Sequence, residues 1–210
     1  MTGRPAHYPV SLVVAGRPVL VVGGGPVAGR KALGLAECGA VLTVVAPRVA
    51  ATIEMLERDG RAAVERRSYR AGEAAAYRLV LTTTGDPAVD GAVFADADAA
   101  GVWVNCADDP ARSSVLLPSV HRDGAVSVAV STGGASPALA AWLRRRLADA
   151  LGDHLGELAD LMDGARRRVA AHGRPTASVD WAALLDGELP TLVADGRLEE
   201  AQRLLEDATR

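Results

Sequence analysis

Residues 18–28, Pro18-Val19-Leu20-Val21-Val22-Gly23-Gly24-Gly25-Pro26-Val27-Ala28, decide the fold. The run PVLVVG (18–23) is continuously apolar, as a strand buried on both faces should be. Residues 26–38 read as a helix ending at Gly39, the position where a left-handed cap is usual. Between strand and helix, Gly23 to Ala28 fit G-x-G-x-x-A. The first glycine permits a tight turn, and Gly25 lets the backbone approach a pyrophosphate. Ala28 allows close helix–strand packing, and the helix N-terminus supplies amide donors. A glycine-rich turn without a ligand is the alternative. The strand–turn–helix context favours dinucleotide binding.

The same alternation continues outward. VLTVVA (41–46) reads as a second strand, followed by a helix through about Asp59 that Gly60 stops. A weaker strand is expected near 63–67, a strand at 78–84 (RLVLTTT), a helix at 87–100 capped by Gly101, and a short strand at 102–105 (VWVN). Strands alternating with helices at this spacing imply right-handed crossovers and a parallel sheet, an α/β Rossmann-like domain. After Asp108 the pattern changes. Residues 114–118 and 125–130 are strand-like around a polar turn at 121–124 (HRDG) that holds His121 at a hairpin tip. Ser136 is a good N-cap and Pro137 fits the first helical position, so a helix starts there and runs to about Leu151. The rest reads as helices at 153–172, 180–186 and 196–208, broken by GRPTAS (173–178), Gly187 and Pro190. This predicts three regions: a Rossmann domain over 1–113, a small strand–helix dimerisation region over 114–151, and a helical C-terminal domain over 152–210.

Composition limits the function. The chain has 210 residues, 49% hydrophobic and 23% charged, which suffices to bury a real core. The net charge of −3 lacks the basic surplus of a nucleic-acid binder. No apolar run approaches the roughly 18 residues of a membrane span, and Met1 to Ala15 lack a signal-like apolar block. The expected location is therefore cytoplasmic. Cys38 and Cys106 form no disulfide scaffold and lack zinc-ligand spacing, so no metal site is expected. Aromatics are only 3%, which leaves the core to Ala, Val and Leu. Lys31 is the only lysine.

Three further places can carry chemistry. A ribose-binding acid usually ends the second strand, about 20 residues after the glycine loop. Here the strand ends Val45-Ala46-Pro47-Arg48. Arg48 would suit a 2′-phosphate and NADP; alternatively Ala46-Pro47 cradles the adenosine by backbone and surface contact. Asn105-Cys106-Ala107-Asp108-Asp109-Pro110 follows a parallel strand, and ligands bind at such carboxyl ends. Asp108 and Asp109 can therefore face a cofactor's reactive end, or simply form a solvated Asp-Pro turn. Cys106, without a histidine partner, reads as a packed residue. Ser131-Thr132-Gly133-Gly134-Ala135-Ser136-Pro137 is a second glycine loop before a helix, where amides could hold an anion. Arg144-Arg145-Arg146 suit a solvated face or a polyanionic substrate, and Arg166-Arg167-Arg168 a solvated face.

In order and spacing, four stretches resemble the siroheme-synthesis dehydrogenases, the precorrin-2 dehydrogenase / sirohydrochlorin ferrochelatase family. They are VLVVGGGPVAGRKALGLAECGAVLTVVAP, LVLTTTGDPAVD, VWVNCADDPARSSVLLPSV and VAVSTGGASPALAAWLRRRL. The resemblance covers about residues 8–150; the helical tail matches only in length and amphipathic character. It implies NAD-dependent oxidation of precorrin-2 to sirohydrochlorin in siroheme biosynthesis. It also implies a homodimer paired through the hairpin and the helix after the second glycine loop. The essential carboxylate falls on Asp108. NAD contacts fall on Gly23, Gly24, Gly25, Pro26 and Val27, on Pro47 and Arg48, and are expected to include Thr84 and Asn105. The substrate carries eight carboxylates, so Arg112, Thr132, Gly133 and Gly134 are its expected anchors. Some members also insert ferrous iron, and one aspartate serves both reactions in them, so Asp108 does not decide that activity. The chain departs from the pattern at Arg122-Asp123, where many members have Asp-Arg, and at Thr84-Gly85-Asp86, where members have T-D-D. The competing classes are a non-catalytic NAD-binding redox sensor and a chelatase that keeps NAD for structure. A sensor usually carries a DNA-binding or membrane partner, and no basic recognition helix is visible.

Overall fold

The computed structural model describes residues 7–210, which divide into two compact units, one ending at Leu117 and the other running Pro118–Arg210. In the first, β1 (Pro18–Val22), β2 (Val41–Val45), β3 (Ala63–Glu65), β4 (Leu79–Thr82) and β5 (Trp103–Cys106) form one sheet in the order β3-β2-β1-β4-β5. Every pairing is parallel. The strand order reverses at β1, which lies between β2 and β4; in such sheets a ligand crevice opens at the carboxyl ends there.

The apolar runs form strands because both faces of the sheet are covered. On one face Val19, Val21, Leu42, Val44, Leu79 and Leu81 pack beneath α1 (Pro26–Glu37) and α2 (Ala51–Arg58). On the other, Leu20, Val22, Val80, Val104 and Cys106 pack beneath α3 (Pro87–Ala99) and the short 3₁₀ helix Glu73–Ala76. Val19, Leu20, Val21 and Val80 are fully buried. Each such side chain contributes roughly 1.5–3 kcal/mol on burial. Ala28, Gly29 and Ala32 let α1 lie close to the sheet.

One expected strand is absent. Residues 114–118 are irregular, and β6 is Ser119–Asp123, across the stretch read from sequence as a turn. Serine chemistry accounts for this. Ser114 Oγ accepts from Val104 N–H at 2.8 Å and Ser113 Oγ accepts from Cys106 N–H at 2.9 Å. These hydroxyls take the free amides of the edge strand β5, so 113–115 finish the first unit instead of starting a hairpin. The Ser114 and Val115 amides both donate to Val104 O.

In the second unit, β6 pairs antiparallel with β7 (Val126–Val130) across Gly124-Ala125. Gly124 takes φ 53°, and glycine leads the two-residue loop as tight hairpins prefer. A Cβ on Gly124 would stand 2.7 Å from Gly156 Cα, so the turn seats directly on the start of α5 (Leu155–Ala171). His121 is therefore not at the tip. It sits mid-strand and half-buried, with Nε2 buried and unpartnered. α4 (Pro137–Leu151) starts as read, with Ser136 Oγ accepting from Leu139 N–H at 3.1 Å and Pro137 in the first turn. The tail adds α6 (Trp181–Asp186), α7 (Leu189–Ala194) and α8 (Leu198–Ala208) around Ala165, Leu189, Leu192, Val193, Ala201 and Leu205. Pro190 was expected to break the chain; instead it opens α7, where a missing amide costs nothing. Among the described residues no helix is long and apolar enough to cross a membrane.

Candidate functional site

The glycine loop is set by close contacts on three sides. Gly23 takes φ 125°, and a Cβ there would stand 2.6 Å from Thr83 Oγ1. Only glycine joins β1 to α1 this way. Gly23 N–H donates to Val45 O at 3.0 Å, and Gly24 O accepts from Ala50 N–H at 2.8 Å. The loop is thus bonded to the β2–α2 connection that carries Pro47 and Arg48, both exposed. Gly25 is the N-cap of α1, with no side-chain cap, and a Cβ there meets nothing within 4 Å. Gly25, Pro26 and Val27 are exposed. The first-turn amides of α1 therefore face open space, a cradle that a side chain on Gly25 would fill. Beside it, Thr83 Oγ1 is buried without a hydrogen-bond partner. An open cradle and an orphaned hydroxyl at the strand-order reversal fit a bound dinucleotide.

The loops at the ends of β4 and β5 lie alongside. Ala107 N–H donates to Thr82 O at 3.0 Å, joining them. A crevice of about 200 Å³ is lined by Gly85, Pro87, Asp90, Cys106, Asp108, Asp109 and Arg112. The two adjacent aspartates differ in what they bind. Asp109 accepts from Ala111 N–H at 3.0 Å, capping the 3₁₀ turn Pro110–Arg112, and its other oxygen lies 3.5 Å from Arg112 Nε. Asp108 is exposed, and none of the hydrogen bonds or ion pairs of the described residues involves its carboxylate. The uncommitted carboxylate is therefore Asp108. Arg112 Nη1 donates to Pro87 O at 3.2 Å, which fixes its guanidinium in the crevice wall.

Two residues outside the sequence-based set organise this end of the sheet. Asp90 Oδ1 accepts from Thr82 Oγ1, from Thr84 Oγ1 at 2.7 Å and from Thr84 N–H at 3.3 Å. The Thr84 hydroxyl expected at the cofactor is therefore committed to Asp90. Lys31 Nζ donates to Asn105 Oδ1 at 2.8 Å, and Asn105 Nδ2 donates to Val115 O at 2.9 Å. Asn105, 6% exposed, is thus held at both ends of its amide. Burial pushes Lys31 below its ordinary value, against the opposing pull of the acidic groups Asp108, Cys106 and Asp90. Burial, with Asp90 and Asp109, pushes the Cys106 thiol up to about 11, as befits a packed residue. Lys31 was visible in sequence as the only lysine, and Asp90 as the acid in the first turn of α3. Neither position reveals a partner.

The second glycine loop is in the other unit. Thr132 Oγ1 accepts from Ser136 N–H at 3.0 Å, and Gly133 N–H donates to Ser131 Oγ at 3.2 Å. Gly133 and Gly134 take φ 59° and 75°. The Gly133 amide is therefore already engaged within its own turn.

A family model described as "Putative NAD(P)-binding" matches residues 10–119, and one described as "Sirohaem biosynthesis protein central" matches 123–150. A siroheme synthase of Pseudomonas paraeruginosa is 38% identical over 194 residues, covering 91% of this chain and 42% of the relative. One of Methylococcus capsulatus is 37% identical over 204 residues, covering 96% and 43%. The chain thus spans less than half the length of these curated relatives. The solved structure of SirC, precorrin-2 dehydrogenase, matches with TM-score 0.70 and 27% identity over 97% of this chain and 98% of that one. The chain belongs to the NAD(P)-binding family of the first model, followed by a segment that matches the sirohaem-biosynthesis central region.

Proposed function

We propose that the chain is an NAD-dependent dehydrogenase that oxidises precorrin-2 to sirohydrochlorin in siroheme biosynthesis. The observation that carries this reading is the carboxyl edge of the sheet. It presents an open dinucleotide loop at β1 and, two strands away, a crevice holding the uncommitted carboxylate of Asp108.

Gly23, Gly24, Gly25, Pro26 and Val27 form the cradle for the pyrophosphate, with the Gly25 and Val27 amides as donors and Pro26 starting the helix, and Pro47 and Arg48 border the adenosine side. Thr84 and Asn105 shape the floor beyond it, their side chains tied to Asp90 and to Lys31 and Val115. The oxidation takes one hydride and one proton from the reduced tetrapyrrole. NAD, when bound, supplies the hydride acceptor. Asp108 takes the proton, or offsets positive charge that develops on the pyrrolic system. Arg112 anchors a substrate carboxylate beside Asp108; Thr132, Gly133 and Gly134 of the second unit are further anchor positions, where the Thr132 hydroxyl and Gly133 amide would exchange their bonds within the turn for a carboxylate.

The functional unit in this reading is a homodimer paired through β6, β7 and α4, between a Rossmann domain and a helical tail. Leu139, Trp142, Leu147 and Leu151 of α4 are 41–50% exposed, an apolar surface that a second copy would cover. In this reading ferrous iron is the substrate of a second step, insertion into sirohydrochlorin.

Anaerobic incubation with precorrin-2 and NAD tests the oxidation. NADH and the sirohydrochlorin spectrum should appear together. Tight NAD binding without turnover would instead favour a non-catalytic NAD-binding module. Adding ferrous or cobaltous ion to the same preparation tests insertion. A monomer in sedimentation at micromolar concentration would remove the dimer.

A further inference from the structure

Lys31 bridges two parts of the site that are far apart in sequence. It lies on α1, the helix that starts at the dinucleotide loop, and its Nζ reaches Asn105 Oδ1 on β5 at 2.8 Å. Asn105 occupies the end of a row across the sheet in which Val44, Val21 and Leu81 are its apolar companions. All three are buried to at least 99%. Packing alone would continue that row with another aliphatic residue. An ammonium and an amide lose hydration there, and apolar replacements of similar shape are often neutral or stabilising at such positions. The pair is explained better by what it holds. Asn105 is fixed between Lys31 and Val115 O, and Asp108 follows three residues later. The charged and titratable groups that face Lys31 are Asp108 and Cys106 from the β5 side and Asp90 from α3, all of them acidic.

We propose that Lys31 is a positioning residue for the reaction: through its bond to Asn105 it sets the turn that carries Asp108. This rests on the proposed oxidation at Asp108. The charge of Asp108 works against the burial that lowers the Lys31 pKa, so the two groups are linked. As pH rises through the lowered Lys31 value, the positive charge is lost and the bond to Asn105 weakens from a charge-assisted to a neutral one.

Two measurements test it. Because the chain has one lysine, lysine labelled with ¹³C at Cε gives a single side-chain resonance to titrate. It should titrate below 10.5, and lower still in Asp108→Asn. A resonance that titrates at 10.5, or that Asp108→Asn leaves unmoved, overturns the link. In turnover, Lys31→Met should lower kcat by about 10²-fold, as expected when a supporting group shifts a reacting one. NAD affinity by calorimetry should stay within about threefold, since Lys31 is outside the pyrophosphate loop. The wild type should lose kcat at high pH as Lys31 loses its charge, and that alkaline limb should vanish in the variant. A variant with wild-type kcat and the same alkaline limb overturns the proposal. If Lys31→Met does not fold, the resonance still decides the matter. Failure of the wild type to oxidise precorrin-2 would remove the functional reading, while the lysine titration would still report whether Lys31 and Asp108 are coupled.

Discussion

Gly24 lies flat against the main chain of Arg48: a Cβ on Gly24 would stand 1.8 Å from the Arg48 carbonyl oxygen. The next glycine, Gly25, faces open space. Two neighbouring glycines therefore serve different ends, one packing and one access.

Substitution separates them. Gly24→Ala forces the β1–α1 loop and the β2–α2 connection apart, because backbone cannot give way as a flexible side chain can. It should destabilise the fold by about 1–3 kcal/mol, the usual range for overpacking. Gly25→Val keeps an ordinary extended conformation (φ −76°) and should leave the melting temperature near wild type. Its side chain fills the cradle, so calorimetry should show NAD affinity falling at least about tenfold, roughly 1.4 kcal/mol. Unchanged NAD affinity in folded Gly25→Val would move the cofactor away from this loop.

Asp108 and Asp109 should part in the same way. Asp108→Asn removes charge and basicity from a carboxylate that holds no structural bond. Turnover of precorrin-2 should fall by about 10²–10⁴-fold, with melting temperature and NAD affinity near wild type. Asp109→Asn keeps an oxygen to accept from Ala111 N–H, so its turnover should remain within a few-fold. The reverse ranking would assign the chemistry to Asp109.

Cys106 is expected to be inert at physiological pH. Its thiol is pushed up to about 11 by burial and by Asp90 and Asp109, so the reactive thiolate is scarce at pH 8 and gains ground only as pH approaches that value. Iodoacetamide mapping by mass spectrometry should leave Cys106 unmodified in the native protein at pH 8 and modify it after denaturation. Rapid native labelling would show that the strand end opens.

The serine cover of β5 has a measurable stability. Ser113→Ala and Ser114→Ala each leave an edge amide, Cys106 N–H or Val104 N–H, without its hydroxyl acceptor. Each change should cost about 1–3 kcal/mol in denaturant unfolding, the penalty for a buried donor left unpaired. A loss below about 0.3 kcal/mol would mean that water replaces the hydroxyl freely.

The sequence by itself determined the parallel sheet, the glycine loop and the capped start of α4. These depend on signals within a few residues: an apolar run, a glycine where φ is positive, a serine before a proline. Gly23 at φ 125° and Ser136 bonded to Leu139 N–H are where such reading expects them. The tertiary structure decided what lies across space. Ser114 leaves the expected hairpin strand and joins Ser113 because an edge strand needs acceptors, and His121 moves from turn to strand as a result. Asp109 and Asp108 look alike in a row of residues, yet only one meets a helix amide. Lys31 and Asn105 are 74 residues apart, and their bond exists because α1 packs on the face of the sheet where Asn105 ends an apolar row. Local pattern specifies backbone conformation, whereas a polar side chain takes its role from the partner that the completed fold brings to it.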